Sequence, residues 1–90
     1  MIPKHRSPTH PGEILEEEFL KPLEMTQVAL AAKMGVPIQR VNTIISGKRG
    51  ITAETAVLLA RVLKTSAEFW MNLQSKFDLW HAEQALAKRA

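Results

Sequence analysis

The amino-acid sequence predicts an all-α fold of five helices, the last of them long. Three observations carry this expectation. Apolar residues recur at spacings of three and four, most regularly at Ala56, Leu59, Ala60 and Leu63, which gathers them on one side of a helix. Residues that start helices (Pro11, Thr26, Pro37, Thr52, Ser66) stand before the apolar stripes, and residues that stop them (Pro22, Gly35, Gly47) stand after several of them. No segment alternates apolar and polar residues, and neither Asn-Gly nor Asp-Gly occurs, so nothing signals a strand or a hairpin.

Residues 1–10 read as a flexible N-terminal arm, in which Lys4, His5 and Arg6 either touch phosphate or stay in solvent. Residues 11–90 read as one domain. Pro11 suits the first position of a helix, where its missing N–H is not needed. Glu13 and the run Glu16, Glu17, Glu18 follow, the earliest of them favourably close to the positive helix end. Ile14, Leu15 and Phe19 form the apolar side. Lys21-Pro22 is expected to end this helix, because the residue before a proline is pushed out of the α region. Thr26 reads as the N-cap of a short helix over Gln27–Met34, with Val28, Ala31 and Ala32 available for packing and Gly35 just past its end. Pro37 begins the next helix, which carries Ile38, Val41, Ile44 and Ile45 and stops at Ser46-Gly47. Lys48-Arg49-Gly50 then forms a turn. Thr52 caps a fourth helix, with Glu54 or Thr55 in its first turn, and Ser66 caps the fifth.

Composition narrows the function classes. Ninety residues, 46% of them hydrophobic, suffice for one small core. A domain this short gains from self-association. The absence of cysteine excludes a disulfide scaffold, thiolate zinc and a thiol nucleophile, and fits a cytoplasmic setting. No apolar run approaches the roughly 20 residues that span a bilayer, and no secretory signal is read at the start. A net charge of +3 is compatible with an anionic partner without identifying one. His5, His10 and His81 lack metal-ligand spacing. Three consecutive glutamates splay around a helix, so Glu16–Glu18 read as a solvated face or as a surface for a basic partner. Cofactor loops, nucleophile elbows and metal motifs are missing, and neither an enzyme nor a cofactor is expected.

The informative segment is Gln27–Lys48. Two short helices joined by little more than Gly35-Val36 form the helix-turn-helix arrangement, with small Ala31 permitting a close crossing. If Ile38, Val41, Ile44 and Ile45 hold the second helix from behind, then Gln39, Arg40, Asn42, Thr43 and Ser46 face outward. Arginine can pair with guanine O6 and N7, and glutamine or asparagine with adenine N6 and N7. No acid occurs from Val36 through Thr52, and the stretch includes Lys48-Arg49, a composition that a phosphate surface favours. Gln27 opens the first helix of the pair, where side chain and backbone N–H groups can meet a phosphate. The candidate DNA-contacting residues are therefore Gln27, Pro37, Gln39, Arg40, Asn42, Thr43, Ser46, Lys48 and Arg49. Simple capping for Gln27 and a solvated helix face for the others are the competing readings.

Gln27, Ala31, Gly35, Val41 and Ile44 resemble the signature positions of the phage-repressor-type helix-turn-helix. Three flanking segments narrow the resemblance: His10-Pro11-Gly12-Glu13-Ile14-Leu15, Ile44–Thr52 (IISGKRGIT), and Ser66–Gln74 (SAEFWMNLQ). Over residues 8–83 the sequence is similar to the HigA family of toxin–antitoxin antidotes. The resemblance implies a phage-repressor-like domain that dimerises, binds a palindromic operator in double-stranded DNA, represses its own operon and neutralises a RelE-like ribonuclease toxin. A stand-alone regulator without a toxin, and a protein-interaction module that does not bind DNA, are the alternatives. Phe69, Trp70, Leu73, Phe77 and Trp80, widened by Leu79, Ala82 and Leu86, form more apolar surface on the last helix than one small domain readily covers. They are read as a dimer interface, against an intramolecular core.

Overall fold

The computed structural model describes residues 7–89. Lys4, His5 and Arg6, read as candidate phosphate contacts, lie outside that range. Within it the chain forms five helices: α1 over residues 11–23, α2 over Gln27–Met34, α3 over Ile38–Ile45, α4 over Ala53–Leu63 and α5 over Ala67–Arg89. Among the described residues there is no strand, and no helix is long and apolar enough to cross a membrane.

Local chemistry sets the boundaries. Thr26 Oγ1 accepts from Ala29 N–H at 3.0 Å, Thr52 Oγ1 from Thr55 N–H at 3.2 Å, and Ser66 Oγ from Phe69 N–H at 3.0 Å. Each satisfies one of the donors that a helix start leaves unpaired. Gly35 closes α2 with φ 72°, a left-handed conformation that costs glycine little. Pro37 stands one residue earlier than expected, as the N-cap of α3 rather than its first helical residue.

The end of the first helix is corrected. The first helix does not end at Lys21-Pro22. It runs as α-helix over Pro11–Ile14, as π-helix over Leu15–Leu20 and again as α-helix over Lys21–Leu23. In the α register the Pro22 ring would press on the Glu18 carbonyl. The π turn, with Lys21 N–H donating to the Glu16 carbonyl, widens the helix by one residue before the proline arrives. The chain stops instead at Glu24, held left-handed at φ 54°.

Of residues 1–10, the structure describes Ser7–His10. They pack against α5. His10 Nδ1 accepts from Gly12 N–H at 2.9 Å and caps α1. The same ring meets Phe77 edge-on at 4.9 Å, and Ser7 Oγ lies 3.3 Å from His81 Nε2.

The core draws on every helix. Leu15 and Leu20 come from α1, Leu30, Ala31 and Met34 from α2, Val41 and Ile44 from α3, Ala56 and Leu59 from α4, and Trp70 from α5. The closest crossing is at Gly12, where a Cβ would collide with the Ile44 carbonyl. α1 therefore lies directly on the backbone of α3, and only glycine permits that approach. Trp70 is 0% exposed, donates Nε1–H to Thr65 Oγ1 at 2.7 Å, and stacks at an angle with Phe19 and Phe69. It belongs to the core of the single chain, so its expected place in a dimer interface does not hold. The seam Trp70, Leu73, Phe77 turns toward the body of the domain. Leu79 and Leu86, half a turn around α5, are left 60% and 61% exposed.

Candidate nucleic-acid interface

α3 presents two chemically distinct sides. Val41 and Ile44 are 1% exposed, and Ile38 and Ile45 pack half-buried against the core. This is the anchoring set that the apolar spacing indicates. Gln39, Asn42 and Ser46 are exposed and Arg40 is half-buried on the opposite side, with Pro37 exposed at the start. Thr43 is also half-buried. Its hydroxyl donates within the helix, to the Gln39 carbonyl at 2.9 Å and the Arg40 carbonyl at 3.1 Å. It is less open than its neighbours, because a mid-helix threonine turns back onto the preceding turn when no other acceptor is at hand.

The basic turn is tied to the end of this helix. The Thr43 carbonyl accepts from Lys48 N–H at 2.9 Å, from Arg49 N–H at 3.0 Å and from Ser46 Oγ at 3.2 Å. Both cationic side chains are exposed, and their backbone is fixed one turn beyond the outward face of α3. On the other flank, Asn42 Nδ2 donates to Gln27 Oε1. The first residue of α2 and the middle of α3 thus present a joined pair of amides. All nine candidate residues lie on α3 or on the segments adjoining it. These hydrogen bonds join Gln27 to Asn42, and Thr43 to Gln39, Arg40, Ser46, Lys48 and Arg49.

Three functionally placed residues escaped the reading of the sequence. Glu54 Oε1 accepts from Arg40 Nη1 at 3.1 Å, so the acid-free stretch 36–52 receives a carboxylate from the next helix. Gln74 is 8% exposed. Its Oε1 accepts from Ile51 N–H at 2.6 Å and its Nε2 donates to Asp78 at 2.9 Å, which fastens the loop after α3 to α5. His10 caps α1 where α1 crosses α3. Desolvation lowers its pKa from the ordinary 6.5, against the opposing pull of Asp78 and Glu13. Glu54 had a local signal only as a first-turn acid. Gln74 had none, since it acts on a segment distant in sequence, and His10, which caps a helix two residues away, was read as part of the arm.

Among the described residues no ligand-sized cavity is present, and no three His, Asp or Glu side chains meet as metal ligands. The chemistry available is hydrogen bonding and positive charge on a convex helix face.

Comparison with known proteins agrees with this geometry. Residues 17–70 match the helix-turn-helix family. Virulence-associated protein I of Dichelobacter nodosus is 48% identical over 75 residues, which cover 83% of this chain and 69% of that protein. Antitoxin HigA-1 of Vibrio cholerae is 40% identical over 85 residues, covering 94% and 80%. Among solved structures, the Pseudomonas aeruginosa antitoxin HigA with the higBA promoter superposes with a TM-score of 0.87 at 46% identity, covering 91% of this chain and 89% of that one. Antitoxin GraA in complex with its operator gives 0.86 at 42% identity, covering 99% and 90%. Three of these four are antitoxins, and none is described as an enzyme. The crossing of α2 and α3, the outward amides and the matches over nearly the whole chain agree: this chain belongs to the helix-turn-helix family and, within it, to the HigA-type antitoxins.

Proposed function

We propose that the chain is a cytoplasmic, sequence-specific DNA-binding repressor that acts as the antitoxin of a two-gene toxin–antitoxin module. The observation that carries this is the outward side of α3: Gln39, Arg40 and Asn42 are displayed together, with Lys48 and Arg49 fixed beside them. In a major groove the first three meet base edges, while the two cations, Gln27 and the α2 N-terminus meet phosphate. The HigA and GraA structures with promoter or operator DNA support DNA as the partner.

A palindromic operator requires two copies. Exposed Phe69, Leu79 and Leu86, with the partly exposed edges of Leu73, Phe77 and Trp80, support a contact between copies along α5. The toxin partner rests on family membership alone, and a RelE-like ribonuclease encoded beside the gene is the expected target. Footprinting on the DNA upstream of the gene tests the repressor. It should show two protected half-sites one helical turn, ~34 Å, apart. Arg40→Ala should lose about 1–3 kcal/mol of binding and relax selection at one base pair. An equal loss on every sequence would make Arg40 a phosphate contact instead. Co-purification of the neighbouring gene product tests the antitoxin. Failure of that product to bind, with operator binding intact, leaves a stand-alone regulator.

A further inference from the structure

We propose that Glu54 is the positioning residue for Arg40, and that it sets base discrimination at the expense of overall DNA affinity. This rests on the reading of α3 as the groove-reading helix.

A carboxylate beside a phosphate-facing surface repels the ligand, so Glu54 is out of place if affinity alone is served. Its placement is well built. It stands in the first turn of α4, whose start is pinned by the Thr52–Thr55 cap and, one residue earlier, by the Ile51–Gln74 hydrogen bond. Its partner has the opposite character: an arginine is long and carries five donors in a planar fork. Unrestrained, the guanidinium reaches for whichever phosphate is nearest. With Nη1 held 3.1 Å from Glu54 Oε1, part of the fork is occupied and the remaining donors have a defined direction. The Arg40 side chain is 30% exposed and the Glu54 side chain 74% exposed, so the pair lies at the rim of the interface and meets DNA without being unpacked. An isolated exposed ion pair adds little to folding stability, which leaves specificity as the property the pair can change.

The test uses the full-length protein. A duplex carrying the DNA upstream of its gene, its single-base variants and an unrelated duplex are titrated with wild type, E54Q, E54D, R40A and the double variant R40A/E54Q. Wild type against R40A identifies the base pair that Arg40 reads. E54Q should bind the unrelated duplex more tightly than wild type. Its discrimination at that base pair should fall by at least about fivefold, within the range that one good base contact supplies. E54D should recover most of that discrimination, because it restores the charge on the same helix. In the R40A background E54Q should change discrimination no further. Thermal unfolding of each variant reports on the helix-start role of Glu54, which affects stability without touching base choice. Unchanged discrimination in E54Q overturns the proposal, as does an equal loss in the R40A background. Absence of wild-type binding to either duplex contradicts the interface itself, a result distinct from these two.

Discussion

His10 acts on α1 only while its Nδ1 lone pair is free to accept from Gly12 N–H. Burial therefore favours the neutral ring, and its pKa is lowered from 6.5. The unfolded chain takes up this proton near pH 6.5, and the folded chain does so only at lower pH. Between those points the unfolded state binds more protons, so stability falls as the pH drops below about 7 and continues to fall until the folded pKa is passed. His10→Ala should cost about 0.5–2 kcal/mol at pH 7.5, the range of a lost cap. The gap in denaturant midpoints between the variant and wild type should narrow as the pH falls below 6.5, because only wild type loses stability as the unfolded His10 takes up its proton. A gap independent of pH would show that the ring acts by packing on Phe77 alone. None of this was legible in the sequence. A histidine two residues before Gly12 looks like part of a loose arm until α5 is placed behind it.

The helices themselves were legible, because caps and apolar spacing are local signals. Thr26, Thr52 and Ser66 cap as their side-chain chemistry suggests, and Val41 and Ile44 anchor α3 as their spacing suggests. What failed was local reasoning about features decided elsewhere. Pro22 stays inside α1 because the preceding π turn gives its ring room. Trp70 turns inward because Phe19 and Thr65 supply its partners. The approach of α1 to α3 at Gly12 yields a prediction at this scale. Gly12→Ala forces one helix off the other and should lower stability by about 1–3 kcal/mol, the usual cost of overpacking. Urea unfolding measures it. An unchanged midpoint would mean that the two helices separate freely and that α1 does not brace α3.

On the scale of the molecule, α5 reaches beyond the core that it helps to build. At about 1.5 Å per residue, its 23 residues make a helix of about 34 Å. The buried residues Trp70 and Gln74 lie in its first half, and the later half carries the exposed Leu79 and Leu86. Leu79→Glu with Leu86→Glu should leave thermal unfolding of dilute protein nearly unchanged while shifting light scattering toward the monomer. An unaltered dimer would move the contact between copies to another face. A two-fold assembly also doubles the number of cations that meet phosphate, which makes salt the most direct probe of the central claim. In an anisotropy titration against a labelled duplex from upstream of its own gene, affinity should fall about a hundredfold between about 50 and 200 mM salt, as expected for roughly four cation–phosphate contacts. No binding at the lower salt, or an affinity indifferent to salt, would contradict the assignment of α3 and its basic turn as a DNA-reading surface.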